Sequence, residues 1–325
     1  MASTAECPAE GLQPLPCWQL DNLDSPKPTM LPERMAADYG ISSLHVIDSL
    51  GGKDLGSGLK LKARLEKKAG TLKDLPIVCH DADGRDDVFR TLTKIYQEEA
   101  ICGLVPILHF EVHGDAVGIH LRNGTIITWS ELGHRLRAFN LATRFNLLVV
   151  FACCDGIHQI QVLNTSESCP FTAVVGCQGT IRTSELLDGF ERFYEIIVNE
   201  GKGLAAEAAL QAAVSKSAGT QFRLLSAAHA FASVYANVHR VNSDTQRRRA
   251  QIDSYRRHLD RMKALQGNLN PTTEKEISDL LLKTEEDTLR RFFESFFACA
   301  QIPENRSRFD YASVSKRARA AAESH

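Results

Sequence analysis

Leu147-Leu-Val-Val-Phe-Ala-Cys-Cys-Asp-Gly156 decides how this chain is read. Six apolar residues run without a polar break and stop at two cysteines, an aspartate and a glycine. A short, continuous apolar run bounded by a turn signal is the pattern of a parallel strand buried on both faces. A second segment has the same build. Val105–Val112 is an apolar strand that ends at His113-Gly114-Asp115. Each strand stops at a chemically reactive side chain with glycine close behind.

Working outward, Leu44–Asp48 reads as a first strand running into the Gly-rich loop Ser49-Leu-Gly-Gly52. Leu59–Lys68 and Asp86–Glu99 have helical spacing, and Pro76–Cys79 is a short strand between them. Asn123-Gly124 between two apolar runs predicts a hairpin. Thr128-Trp-Ser-Glu131 is a capping box that opens a helix to about Phe139. Thr172–Gly176 is a strand and Ser184–Asn199 a helix. Strands alternating with helices predict an α/β/α sandwich around a mostly parallel sheet. After Gly201 the pattern turns helical, at Leu204–Val214, Arg223–His239, Gln246–Leu265 and from Pro271 to about Cys299. Phe292, Phe293, Phe296 and Phe297 fall at helical spacing, as core or a partner-helix contact. The expected division is a flexible extension over 1–40, an α/β domain over 41–200, a helical region over 201–302 packing on it, and a mobile tail over 303–325.

The 325 residues are 43% hydrophobic and 24% charged, which excludes a wholly disordered chain or a fibre. No apolar run approaches the length of a membrane span, and the first ten residues lack the features of a signal peptide. A cytoplasmic protein that does not insert into membranes is expected. The net charge of −2 gives no field for nucleic acid. Nine cysteines, an odd number with no C-x-x-C, fit reduced thiols better than a disulfide or zinc framework.

In open parallel sheets, ligands bind beyond the carboxyl ends of the strands. His113 and the cysteine pair both belong at that edge. Imidazole beside a thiol favours the thiolate that a nucleophilic cysteine needs. Backbone N–H groups at Cys154 and Gly114 could form an oxyanion hole.

An apolar strand ending in His-Gly, a 41-residue step from His113 to Cys154, and a strand ending in Ala-Cys resemble the caspase-like cysteine peptidases: caspases, metacaspases, gingipain-type enzymes and CHAT-type peptidases. The resemblance covers roughly residues 41 to 200. It implies a caspase-like sandwich, a His113 base and a cysteine nucleophile, with neither metal nor organic cofactor. Ala-Cys-x-Gly spacing selects Cys154, the favoured choice, whereas Ala-Cys-x-x-Gly would select Cys153. Asp48, at the end of the first strand, matches the place where metacaspases and gingipain-type relatives carry an acid that receives Arg or Lys; read from the residues alone, it serves equally well as a helix cap or loop anchor. Asp155 and Asp115 are further acids beside the cleft. Because no Gln precedes Ala152-Cys153-Cys154, caspase-type cleavage after Asp is not expected. By the same resemblance the substrate could be a gasdermin-like pore former in cell death or antiviral defence.

His109 and Glu111 share a face with His113, because residues i, i+2 and i+4 line one side of a strand. They would help orient His113, or make a satisfied polar pair under the helices, or form a metal-binding strand in a metal-dependent hydrolase. A third possibility is a catalytically silent scaffold of this fold that binds a regulatory partner through its C-terminal helices.

Overall fold

The computed structural model describes residues 40–51, 56–68, 72, 75–179, 183–213, 221–242, 253, 256–257, 260 and 286–323. The 1–39 extension and most of the Arg-rich stretch over 246–265 lie outside these.

Ile41–Asp48 (β1), Ile77–Asp81 (β2), Val105–Glu111 (β3), Leu148–Ala152 (β7) and Ala173–Gln178 (β8) are parallel neighbours in the order β2-β1-β3-β7-β8. Gln221–Ser226 (β9) closes the far edge, antiparallel to β8. Three short strands, His113–Gly114 (β4), Gly118–His120 (β5) and Ile126–Thr128 (β6), form a separate antiparallel sheet above the carboxyl edge. This is the mostly parallel α/β sandwich, with helices following it, that the sequence predicts.

Alternation along β3 assigns the two faces. Leu108 and Phe110 enter one core with Val149 and Phe151 of β7. That core is covered by Arg85–Glu98 (α2), Trp129–Ala142 (α3) and Ala227–Asn242 (α6). Ile107 enters the other core with Val150, under Ser57–Lys67 (α1), Thr183–Glu200 (α4) and Gly203–Ala213 (α5). Each buried Val, Leu or Phe contributes about 1.5–3 kcal/mol, so both layers are needed to hold the central strands. The capping box opens α3 as predicted: Glu131 N–H donates to Thr128 Oγ1 at 3.3 Å, and Thr128 N–H to Glu131 Oε2 at 3.1 Å.

Two readings of the C-terminal part need correction. Gln221–Ser226 lies where a helix over Arg223–His239 was expected, so the sheet takes its last strand from beyond residue 200. The stretch from 303, expected to be a mobile tail, forms a turn of helix at Asn305–Arg308 and a helix over Tyr311–Glu323 that packs on α6. In the helix over residues 286–296 and the turn after it, Phe293, Phe296 and Phe297 are buried in the first core against Phe231, and Phe292 is partly buried. Three of the four Phe side chains are thereby used within the protein's own core. No helix among the described residues is long and apolar enough to cross a membrane.

Candidate active site

The parallel register brings the two chemical segments level. Glu111 of β3 pairs with Ala152 of β7. His113 and Cys154 each follow two residues later, just past the carboxyl edge. The backbones meet there. A Cβ added at Gly114 would lie 2.7 Å from the Cys154 carbonyl oxygen and 2.8 Å from Cys153 Sγ. Only glycine lets the chain after His113 approach the cysteine turn this closely.

The cysteines differ sharply. Cys153 points into the first core and is buried, and burial holds its thiol well above the ordinary range. Cys154 is only partly covered. Cys177, on the neighbouring strand, is also buried, and its thiol is pushed up to about 12. Cys154 is therefore the more accessible of the two thiols in the turn that meets Gly114.

The turn after Cys154 is tightly pinned. Asp155 adopts a left-handed backbone, φ 53°. Its N–H donates to the Gly179 carbonyl at 3.2 Å, and Gly179 N–H returns a bond to Asp155 Oδ1 at 3.0 Å. This clamp ties the end of β7 to the end of β8. The Asp155 side chain remains 35% exposed, with His158 Nε2 4.0 Å from Oδ1. Burial keeps the His158 imidazole below its usual pKa.

The structure corrects the expectation that His109, Glu111 and His113 share one face. β3 stops at Glu111, and the chain leaves the sheet at Val112 to start β4. His109 and Glu111 turn inward and are almost fully buried, whereas His113 is exposed. Glu111 accepts from His109 Nε2 at 3.0 Å and from Ser57 Oγ at 2.9 Å, while Tyr194 Oη lies 2.6 Å from His109 Nδ1. A buried polar pair must be satisfied internally, and here α1 and α4 supply the partners. His109 and Glu111 thus brace helices against the sheet rather than orient His113. No group of three metal-ligating side chains occurs among the described residues.

Asp48 is likewise committed. Its Oδ1 accepts from Leu50 N–H and its Oδ2 from Gly58 N–H, both at 3.0 Å, and the residue is 4% exposed. Burial raises its pKa against the pull of those amides. It anchors the loop after β1 and the start of α1. Among the described residues, acids at the rim include Asp81, paired with Arg122, together with Asp83, Asp115 and Asp155.

Asp115 shapes the β4–β5 turn. Its carboxylate accepts from Val117 N–H at 2.7 Å, Gly118 N–H at 3.2 Å and His120 Nε2 at 2.8 Å. Although burial opposes it, these bonds leave the carboxyl below its ordinary pKa. Trp129 Nε1–H donates to the Asp115 carbonyl at 3.0 Å, fixing the turn to α3. His120 was not singled out from sequence, nor were His158, Tyr194 and Ser57. An available signal was the Asp115-x-x-Gly118 spacing, a turn that folds His120 back opposite His113.

No family model and no curated protein matches the chain. Among solved structures, the chain is similar to the Drosophila initiator caspase Dronc at 12% identity, over 60% of this chain and 82% of that one, with a TM-score of 0.38.

Proposed function

We propose that the protein is a cysteine endopeptidase with Cys154 as nucleophile and His113 as base and acid. The observation that carries this reading is the level placement of His113-Gly114 and Cys154 at the carboxyl edge of adjacent parallel strands. The burial of Cys153 supports Cys154 as the reacting thiol.

His113 takes the Cys154 proton, and the thiolate attacks the peptide carbonyl carbon. The carbonyl π electrons move to oxygen, where the Gly114 and Cys154 amides stabilise the charge. The C–N bond then breaks, and His113 delivers its proton to the leaving amine. Water, deprotonated by His113, attacks the thioester. The acid product leaves and the thiol is restored.

Asp155, adjacent to the nucleophile and partly exposed, supports a basic residue before the cut. Asp48 has both oxygens on backbone amides, so it enters this specificity only through the loop it anchors. A gasdermin-like pore former as the substrate, and a regulatory partner on the C-terminal helices, rest on the family resemblance and the helical composition alone.

The test is cleavage of a peptide library varied at the residue before the cut. Cutting after Arg or Lys, lost in Cys154→Ala and His113→Ala but kept in Cys153→Ala, is expected. No cleavage by any form, together with no selective Cys154 labelling, contradicts the proposal and leaves a binding scaffold.

A further inference from the structure

We infer that Asp115 and His120 form a charge couple that positions His113 and tunes its protonation; this rests on the peptidase reading above. His113 and His120 are direct partners across β4 and β5. Directly opposed residues in an antiparallel pair project to one face with Cβ atoms about 4.5–5.5 Å apart. The second imidazole is therefore held beside the first.

Asp115 controls both. Its carboxylate accepts a hydrogen bond from His120 Nε2 at 2.8 Å, and it also accepts from the Val117 and Gly118 amides that close the turn carrying His113-Gly114. Asp115 N–H returns to the Gly118 carbonyl at 3.1 Å. One side chain thus sets the hairpin geometry and holds the His120 ring in place.

The chemistry explains why this matters. A Cys154 thiolate needs His113 as imidazolium. A cationic His120 alone would repel that second positive charge. A carboxylate bonded to His120 offsets it. Among the described residues, the cysteine turn also meets this end of the hairpin. Cys153 and Cys154 lie against Gly114. Asp155 and His158 follow them, with His158 favouring its neutral form and so adding no competing cation. His120 and Asp115 act through His113 and are positioning residues.

The experiment measures the rate of Cys154 alkylation by iodoacetamide against pH in the full chain. Wild type is compared with His113→Ala, Asp115→Asn, His120→Asn and the Asp115→Asn/His120→Asn double variant, each checked for folding by circular dichroism. Wild type is expected to show a pH-dependent alkylation rate that His113→Ala changes. Asp115→Asn should lower the imidazolium inflection by about one pH unit, and His120→Asn should raise it by less. The double variant, with both charges removed, should return toward wild type, which a merely structural role would not produce. If Asp115→Asn fails to fold, His120→Asn alone decides. Profiles of His120→Asn and the double variant superimposable on a His113-dependent wild type would overturn the inference and leave the peptidase reading standing. A wild-type profile indifferent to His113→Ala would overturn both.

Discussion

Two histidine–carboxylate couples sit within a few residues of each other and have opposite fates. His109–Glu111 lies inside the sheet, sealed by Tyr194 of α4 and Ser57 of α1. His120–Asp115 lies on the rim, with side chains 36% and 47% exposed, opposite His113. The residue types are alike. The interior couple ties helices to the sheet. The rim couple is open to solvent and stands beside the proposed base. Residue chemistry alone does not separate a brace from a working site; the exit of the chain from the sheet at Val112 does.

The sharpest way to break this contrast is to exchange its consequences. His113→Ala should lower kcat/KM by roughly 10²–10⁴-fold, the usual worth of a general acid–base, with an unchanged thermal midpoint. A large stability loss would place His113 among the braces. Glu111→Ala should instead cost about 3 kcal/mol in urea unfolding, because buried His109 and Ser57 groups lose their acceptor. The remaining folded protein should keep its turnover per folded molecule. Turnover lost without loss of stability would bring Glu111 into the reaction.

A further interior cluster sharpens the comparison by pH. His80 Nε2 lies 2.9 Å from His45 Nδ1, and His45 Nε2 lies 2.7 Å from Glu99. Burial, with His45 beside it, lowers the His80 pKa to about 4. Folding therefore favours the neutral ring. Its contribution is full above about 6.5 and is lost as pH falls toward 4, amounting to about 1–3 kcal/mol. His80→Gln should flatten the acid limb of the stability profile; an unchanged limb would remove His80 from the account. The smallest effect belongs to the rim. Asp155→Asn should reduce the preference for Arg over a neutral residue by about tenfold, close to 1.4 kcal/mol, as read from competing peptides. An unchanged preference would point to Asp81 or Asp83.

The central strands were legible in sequence because a buried parallel strand writes itself as an unbroken apolar run. Leu147–Ala152 is such a run, and Val105–Glu111 is one but for His109 and Glu111. His113, Gly114 and Cys154 were legible for the same reason, each following a run that stops. β9 was not. Phe222, Leu224 and Ser226 alternate inward, but Ala227–Ala232 follows at once with good helix formers, and the longer helical signal absorbed the shorter strand. Tyr311–Glu323 read as tail because only a narrow seam of it is apolar, Val314 and Ala318 one turn apart. For Asp48 and Glu111 the sequence offered a structural and a functional role side by side and could not choose between them. Both sit at the strand end where a site is expected, and only their partners from α1 show that burial has already claimed them.

The most direct test of the central claim is to map where a substrate-like electrophile attaches. A peptidyl acyloxymethyl ketone with Arg at its reactive end would be incubated with the full chain, and the modified residue located by mass spectrometry. The account predicts a single thioether on Cys154, lost in His113→Ala and retained in Cys153→Ala. Attachment at Cys153, or equal labelling of Cys154 with and without His113, would contradict it.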